Sequence, residues 1–294
     1  MTESRLPSTS RIGRVALRVS DLDETMAFYR DVVGLTVRSR TGERAALGPP
    51  DSRLLELTAD PDASARPETA AGLFHTAFRV PSRAALADAL ARVRGEWQLS
   101  GASDHGVSEA LYLRDPEGNG VEVYRDRGRA AWPTSADGRV EMVTEPLDLD
   151  GLTAEGGGAD GVADTGAEAV PDGTDVGHVH LEVTSLRSAR EYYGDALGMT
   201  VRQEMGGALF LAAGEYHHHV GANVWNRRST PAEGRGLDWF EVVVPDAAAL
   251  AAVRDRFEGA SVTVESVDAD GDGETDGIAV IDGDGIELRV RVAD

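Results

Sequence analysis

The residues best suited to chemistry sit near the two ends of one stretch. His75 stands in the run Phe74-His75-Thr76-Ala77-Phe78-Arg79-Val80, and Glu122 stands in Gly120-Val121-Glu122-Val123-Tyr124. An imidazole and a carboxylate are both standard ligands for a divalent transition metal. Taken singly, each also fits an ordinary hydrogen-bonded sheet residue. Between them, Asp115-Pro116-Glu117-Gly118-Asn119-Gly120 is dense in turn formers. That turn predicts a hairpin with Tyr112 and Glu122 on neighbouring strands. Disulfides and thiolate chemistry are excluded, because the chain has no cysteine.

These residues need elements to position them. Residues Arg14 to Val19 alternate in the manner of a half-buried strand. Ser20-Asp21-Leu22-Asp23 offers helix N-caps, and Met26, Phe28, Tyr29 and Val33 then recur at helical spacing as a core stripe. Gly34 stops that helix. Three short strands should follow, the last being Arg53 to Leu57. The same order restarts at Gly72, with a helix over Arg83 to Val93.

The pattern then repeats. Phe28-Tyr29-Arg30-Asp31-Val32-Val33-Gly34-Leu35-Thr36-Val37-Arg38 is echoed by Tyr192-Tyr193-Gly194-Asp195-Ala196-Leu197-Gly198-Met199-Thr200-Val201-Arg202. A fourth copy starts at Leu237-Asp238-Trp239-Phe240, with a helix over Ala247 to Phe257, and ends in Gly285-Ile286-Glu287-Leu288-Arg289-Val290. First-strand positions 14 and 75 are separated by the same interval as 178 and 239. Repetition of this kind sets the architecture. The expected domains are residues 12–126, holding modules 12–60 and 71–126, and residues 176–294, holding modules 176–226 and 236–292. Residues 127–175, rich in Gly, Ala, Asp and Glu, read as an acidic linker.

Bulk properties bound the function. A chain of 294 residues, 41% of them hydrophobic, can build a real core. No apolar run approaches a membrane span and no signal pattern opens the chain, so a soluble, cytoplasmic protein is expected. The net charge is −22, and all 29 basic residues are arginine. Such a surface repels nucleic acid and anionic membranes, and it suits a salt-rich, halophilic cytoplasm. The loop Asp268-Ala269-Asp270-Gly271-Asp272-Gly273 has the spacing that opens a calcium loop, but Ala279 stands where the closing glutamate belongs, so an acidic hairpin loop is expected.

Four βαβββ units of this kind resemble the vicinal oxygen chelate superfamily, which includes glyoxalase I, bleomycin resistance proteins and extradiol dioxygenases. The resemblance spans nearly the whole chain outside the linker and termini. It implies an α+β fold of four βαβββ modules forming two cup-shaped mixed sheets. Metal ligands would come from first and last strands of paired modules. The first-strand position carries Arg14, His75, His178 and Trp239. The last-strand position carries Glu56, Glu122, no acid near Ala222, and Glu287. Pairing the second module with the third gathers His75, Glu122 and His178, the two-His-one-carboxylate set suited to non-haem Fe(II). That pairing is expected, within one chain or across a homodimer interface. All seven histidines lie in those two modules. Arg14 and Glu56 would then be an ion pair and Trp239 a core residue.

Further residues resemble the catechol 2,3-dioxygenase branch. Tyr112 precedes Glu122 by that branch's interval. His105-Gly106 matches its His-Gly pair, although the gap to the tyrosine is shorter than in familiar members. In Tyr216-His217-His218-His219-Val220-Gly221-Ala222 the best match to its partner-module histidine is His218. Strand alternation would turn His217 and His219 away, towards the surface or rim. The resemblance implies His218 as the acid–base group, with His105 and Tyr112 bonded to a substrate oxygen. His180, two residues beyond His178, would line the site or orient a ligand. The expected activity is extradiol cleavage of a small aromatic diol with O2, using Fe(II), with Mn(II) as the alternative metal. A glyoxalase-like lyase or isomerase, and a metal-free binding or resistance protein, are the competing readings.

Overall fold

A computed structural model describes residues 5–135, 140–155, 169–268 and 277–293. The glycine run at 156–158 and the acidic loop from 269 to 273 lie outside the described residues.

Each of the four modules is a βαβββ unit. The first comprises β1 (Arg11–Val19), α1 (Leu22–Phe28), β2 (Thr36–Thr41), β3 (Arg44–Gly48) and β4 (Leu55–Ala59). The second comprises β5 (Gly72–Arg79), α2 (Arg83–Glu96), β6 (Gly101–Asp104), β7 (Ser108–Arg114) and β8 (Gly120–Asp126). The segment after it carries β9 (Glu145–Pro146) and α3 (Leu149–Glu155). The third module comprises β10 (Asp175–Glu182), α4 (Leu186–Ala189), β11 (Thr200–Met205), β12 (Ala208–Ala212) and β13 (Val220–Asn223). The fourth comprises β14 (Gly236–Val244), α5 (Ala247–Gly259), β15 (Glu265–Val267), β16 (Gly277–Ile281) and β17 (Glu287–Val292).

The strands form two mixed sheets. One runs β15-β16-β17-β14-β1-β4-β3-β2, so it holds the fourth and first modules. The other runs β11-β12-β13-β10-β5-β8-β7-β6-β9 and holds the third and second. The α+β architecture expected from the repeats is therefore observed. Among the described residues no helix is long and apolar enough to cross a membrane.

Local chemistry explains the helix boundaries. Asp21, Ser82, Ser185 and Asp246 each cap a helix, accepting from the backbone N–H three residues on at 2.8–3.2 Å. Each such cap contributes about 1 kcal/mol. α1 continues into a wider turn over Tyr29–Val33, and α4 into one over Arg190–Ala196. Glycines end both, Gly34 at φ 93° and Gly198 at φ 94°. Only glycine adopts that region freely, and an added Cβ at Gly34 would also strike the Arg92 guanidinium.

The chain divides into two compact units, residues 17–63 with 75–176, and residues 1–16 with 64–74 and 177–294. In the former, Tyr29 donates to Asp115 at 3.1 Å, Ser20 donates to Glu117 at 2.6 Å, and Arg92 donates to the Val33 carbonyl at 3.1 Å. In the latter, Tyr193 donates to Asp282 at 2.8 Å, Thr184 donates to Asp284 at 2.5 Å, and Arg256 donates to the Leu197 carbonyl at 2.7 Å. The same clasp thus fastens helix to turn in each unit. Burial pushes both Asp115 and Asp282 up to about 6. Buried aromatic stacks surround the clasps: Tyr29 against Phe28 and Phe78, and Tyr193 against Tyr192 and Phe240.

Candidate metal centre

β5 and β8 are parallel neighbours, with Ala77 opposite Glu122 and His75 opposite Gly120. The two-residue offset points both side chains to one face. His75 Nε2 lies 3.0 Å from Glu122 Oε2, and both residues are buried. On the other side of β8, Tyr112 stands directly opposite Glu122, as the hairpin predicts. Burial, then the charge and hydrogen bond of Glu122, hold the Tyr112 hydroxyl well above the usual phenol range. Tyr112 therefore keeps its proton at neutral pH.

His105 completes this side. Its Nδ1 lies 2.7 Å from the Val143 carbonyl, and its Nε2 lies 2.7 Å from the Tyr112 hydroxyl. A carbonyl only accepts, so Nδ1 carries the proton and donates. In the neutral ring Nε2 then accepts from Tyr112. Gly106 makes the turn at φ 73°, and a Cβ there would lie 2.7 Å from Pro133 Cγ. Only glycine fits. Val143 and Pro133 belong to the segment that reads as linker. A backbone carbonyl leaves no signal in a sequence, so this orienting contact is found only in three dimensions.

His178 and His180 both lie on β10 and are buried. The His178 ring centroid is 4.1 Å from that of His218 and 6.2 Å from that of His217. His180 packs among Phe74, Phe210 and Trp225, with centroids 5.2–5.8 Å away. It lies over Gly221, where a Cβ would come within 2.9 Å of its ring. Phe210 also faces His218 at 5.1 Å.

The three consecutive histidines correct the alternation argument. β13 begins only at Val220, so 217–219 form the approach to a strand, not the strand itself. All three are buried, so the expected surface position of His217 and His219 is not observed. His219 is held by its backbone, donating to Leu211 at 2.7 Å and accepting from Val179 at 3.0 Å. Its Nδ1 accepts from the Ala213 N–H at 3.1 Å. His217 Nδ1 lies 2.8 Å from His218 Nδ1, and its ring stacks on Tyr216 at 4.0 Å.

The fourth module corrects a second reading. β14 and β17 pair with Trp239 opposite Glu287 and Glu241 opposite Arg289. By the register that places Glu122, the equivalent of the carboxylate position is Arg289, not Glu287. Trp239 is buried beneath the Arg289 guanidinium at 4.1 Å. Arg14 pairs with the fully buried Glu241 at 2.7 Å. An indole and ion-paired arginines do not compose a metal site.

Among the described residues, the ligand atoms of His75, Glu122 and His178 lie within 4.8 Å of one another, and all three are buried. Two ligands at about 2.1 Å from one ion stand roughly 3 Å apart, which matches the His75–Glu122 separation. Two imidazoles and one carboxylate fit a divalent transition metal by type, spacing and burial.

Comparison with known proteins agrees with this geometry. Residues 11–123 match the family described as the Glyoxalase/Bleomycin resistance protein/Dioxygenase superfamily. Catechol-2,3-dioxygenase of Bacillus subtilis (strain 168) is 38% identical over 266 residues, covering 88% of this chain and 91% of its own. Biphenyl-2,3-diol 1,2-dioxygenase 3 of Rhodococcus globerulus is 32% identical over 131 residues, covering 40% of this chain and 64% of its own. The crystal structure of glyoxalase I from Zea mays shares the fold, with a TM-score of 0.60 at 15% identity over 97% of this chain and 92% of that one. The chain belongs to the glyoxalase/bleomycin resistance protein/dioxygenase superfamily. Within it, the chain is a dioxygenase-like enzyme.

Proposed function

We propose that the protein is an Fe(II)-dependent extradiol ring-cleaving dioxygenase that acts on a catechol-type substrate with O2. His75, Glu122 and His178 hold the metal. The observation that carries this reading is the buried His-Glu-His group, in a chain 38% identical to a catechol-2,3-dioxygenase. Bound there, Fe(II) supplies Lewis acidity towards the diol and the one-electron chemistry that O2 requires.

The chain's own residues do the rest. Tyr112, kept protonated by burial and by Glu122, directs its one proton to His105 Nε2, so its oxygen is left to accept a hydrogen bond from a substrate hydroxyl. His105 fixes the direction of that hydroxyl through Nε2, and the Val143 carbonyl fixes His105. His218, in ring contact with His178, is the group that holds and moves a proton. His75, His178 and His218 are buried, with His105 and Tyr112 half-buried beside them, and this shields the proton-transfer groups from bulk water.

The test is direct. Protein loaded with Fe(II) under anaerobic conditions is given catechol and then air. A yellow ring-fission product is expected. Absence of colour while iron is measurably bound overturns the assignment. Turnover of a thiohemiacetal supplied in place of catechol, with catechol itself left unchanged, would mark a glyoxalase-like lyase or isomerase.

A further inference from the structure

The tri-histidine segment holds one more histidine than proton transfer at His218 and the backbone closure at His219 account for. Resting on the assignment of His218 above, we propose that His217 is its positioning residue. Its Nδ1 bond to His218 Nδ1 couples the tautomer of His218 to its own and holds the His218 ring in place.

The two Nδ1 atoms stand 2.8 Å apart. Two bare nitrogens at that distance would repel through their lone pairs, and two protonated ones would clash. One proton therefore lies between them, and in a pair of neutral rings one is then the Nδ1–H tautomer and the other the Nε2–H tautomer. In that pair the state of His218 Nε2 is complementary to that of His217 Nε2, so loss of the bond uncouples the two rings.

The surroundings keep the pair in place. His217 is 1% exposed. Tyr216 stacks on its ring at 4.0 Å and on that of His219 at 4.8 Å. The backbone bonds of His219 to Leu211 and Val179 pin the end of the segment. His217 thus has neither room to swing away nor solvent to bond instead. Support of this kind, one group removed from the reacting atoms, typically contributes 10–100-fold to activity.

Two measurements test it. The first uses the Zn(II)-loaded wild-type chain labelled with 15N-histidine. A hydrogen-bond N–N coupling between two histidine Nδ1 atoms is expected, with one of them protonated and with the coupling lost in His217→Leu. Two bare Nδ1 atoms and no coupling in the wild type overturn the proposal. This arm needs no activity, so it separates failure of the proposal from failure of the dioxygenase assignment. It also needs no variant to exclude the bond, so a poorly folded variant does not block it.

The second measurement compares catechol kinetics. An Asn amide reaches the Nδ1 position and can donate or accept there, whereas a Gln amide reaches only the Nε2 position. His217→Leu and His217→Gln should lower kcat by about tenfold or more, with KM and bound metal unchanged. His217→Asn should stay within about threefold of wild type. A His217→Leu variant with wild-type kcat, or a His217→Gln variant that restores kcat as well as His217→Asn, contradicts the proposal.

Discussion

His75 Nε2 lies 3.0 Å from Glu122 Oε2, across two parallel strands whose register offsets the residues by two. Without a metal this is a buried ion pair or hydrogen bond, and with one it is the edge of a coordination sphere. The two roles respond differently to substitution. Glu122→Gln keeps hydrogen-bonding capacity and volume but loses the charge that a divalent cation needs. Metal affinity should fall by more than about 100-fold, while the far-ultraviolet spectrum stays unchanged. Competition titration with a chelating dye measures it.

Tyr112→Phe removes one hydroxyl and nothing else from the face opposite Glu122. A positioned hydrogen-bonding group in a site of this kind contributes about 10²–10³ to kcat. The variant should lose activity in that range and keep its metal. His105→Phe should give a similar loss, since His105 acts through Tyr112. Combining both should cost little more than either alone, and steady-state rates on catechol check the non-additivity.

Gly106→Ala joins two costs: a left-handed φ of 73° and a Cβ 2.7 Å from Pro133. Destabilisation of about 1–2 kcal/mol is expected, along with a fall in kcat as His105 shifts from the Val143 carbonyl. Urea melts and rates on one preparation give both quantities.

Asp115 and Asp282 have folded values of about 6, raised chiefly by burial. The folded state therefore holds their protons more tightly than the unfolded chain does. The stability they contribute is fully present below the ordinary carboxylate range and is lost as pH rises through about 6. From pH 5 to pH 7 the loss is about 1 kcal/mol for each group. The double variant Asp115→Asn, Asp282→Asn should flatten that part of the stability–pH curve relative to wild type. Denaturant melts at the two pH values measure the difference.

Much of this was legible in the sequence. The interval between Arg14 and His75, repeated between His178 and Trp239, gave the modules. Alternating strands, N-cap residues and terminal glycines gave their elements. The gathering of His75, Glu122 and His178 was legible because residue type and repeat position coincide, and the hairpin put Tyr112 beside Glu122. What escaped depends on register and backbone. Glu287 keeps the right chemical type but sits two residues from the equivalent position, a difference that only strand pairing reveals. His217 and His219 were assigned outward faces by an alternation that does not apply before Val220. Val143 orients His105 through its carbonyl, which any residue could supply.

Product analysis tests the central claim most directly. The Fe(II)-loaded protein is given catechol under ¹⁸O2, and the product is identified by mass spectrometry. Extradiol cleavage predicts a ring-opened hydroxy semialdehyde that carries both labelled oxygen atoms, and its absence in His178→Ala. A ring-opened diacid, or unaltered catechol with iron bound, would contradict the account.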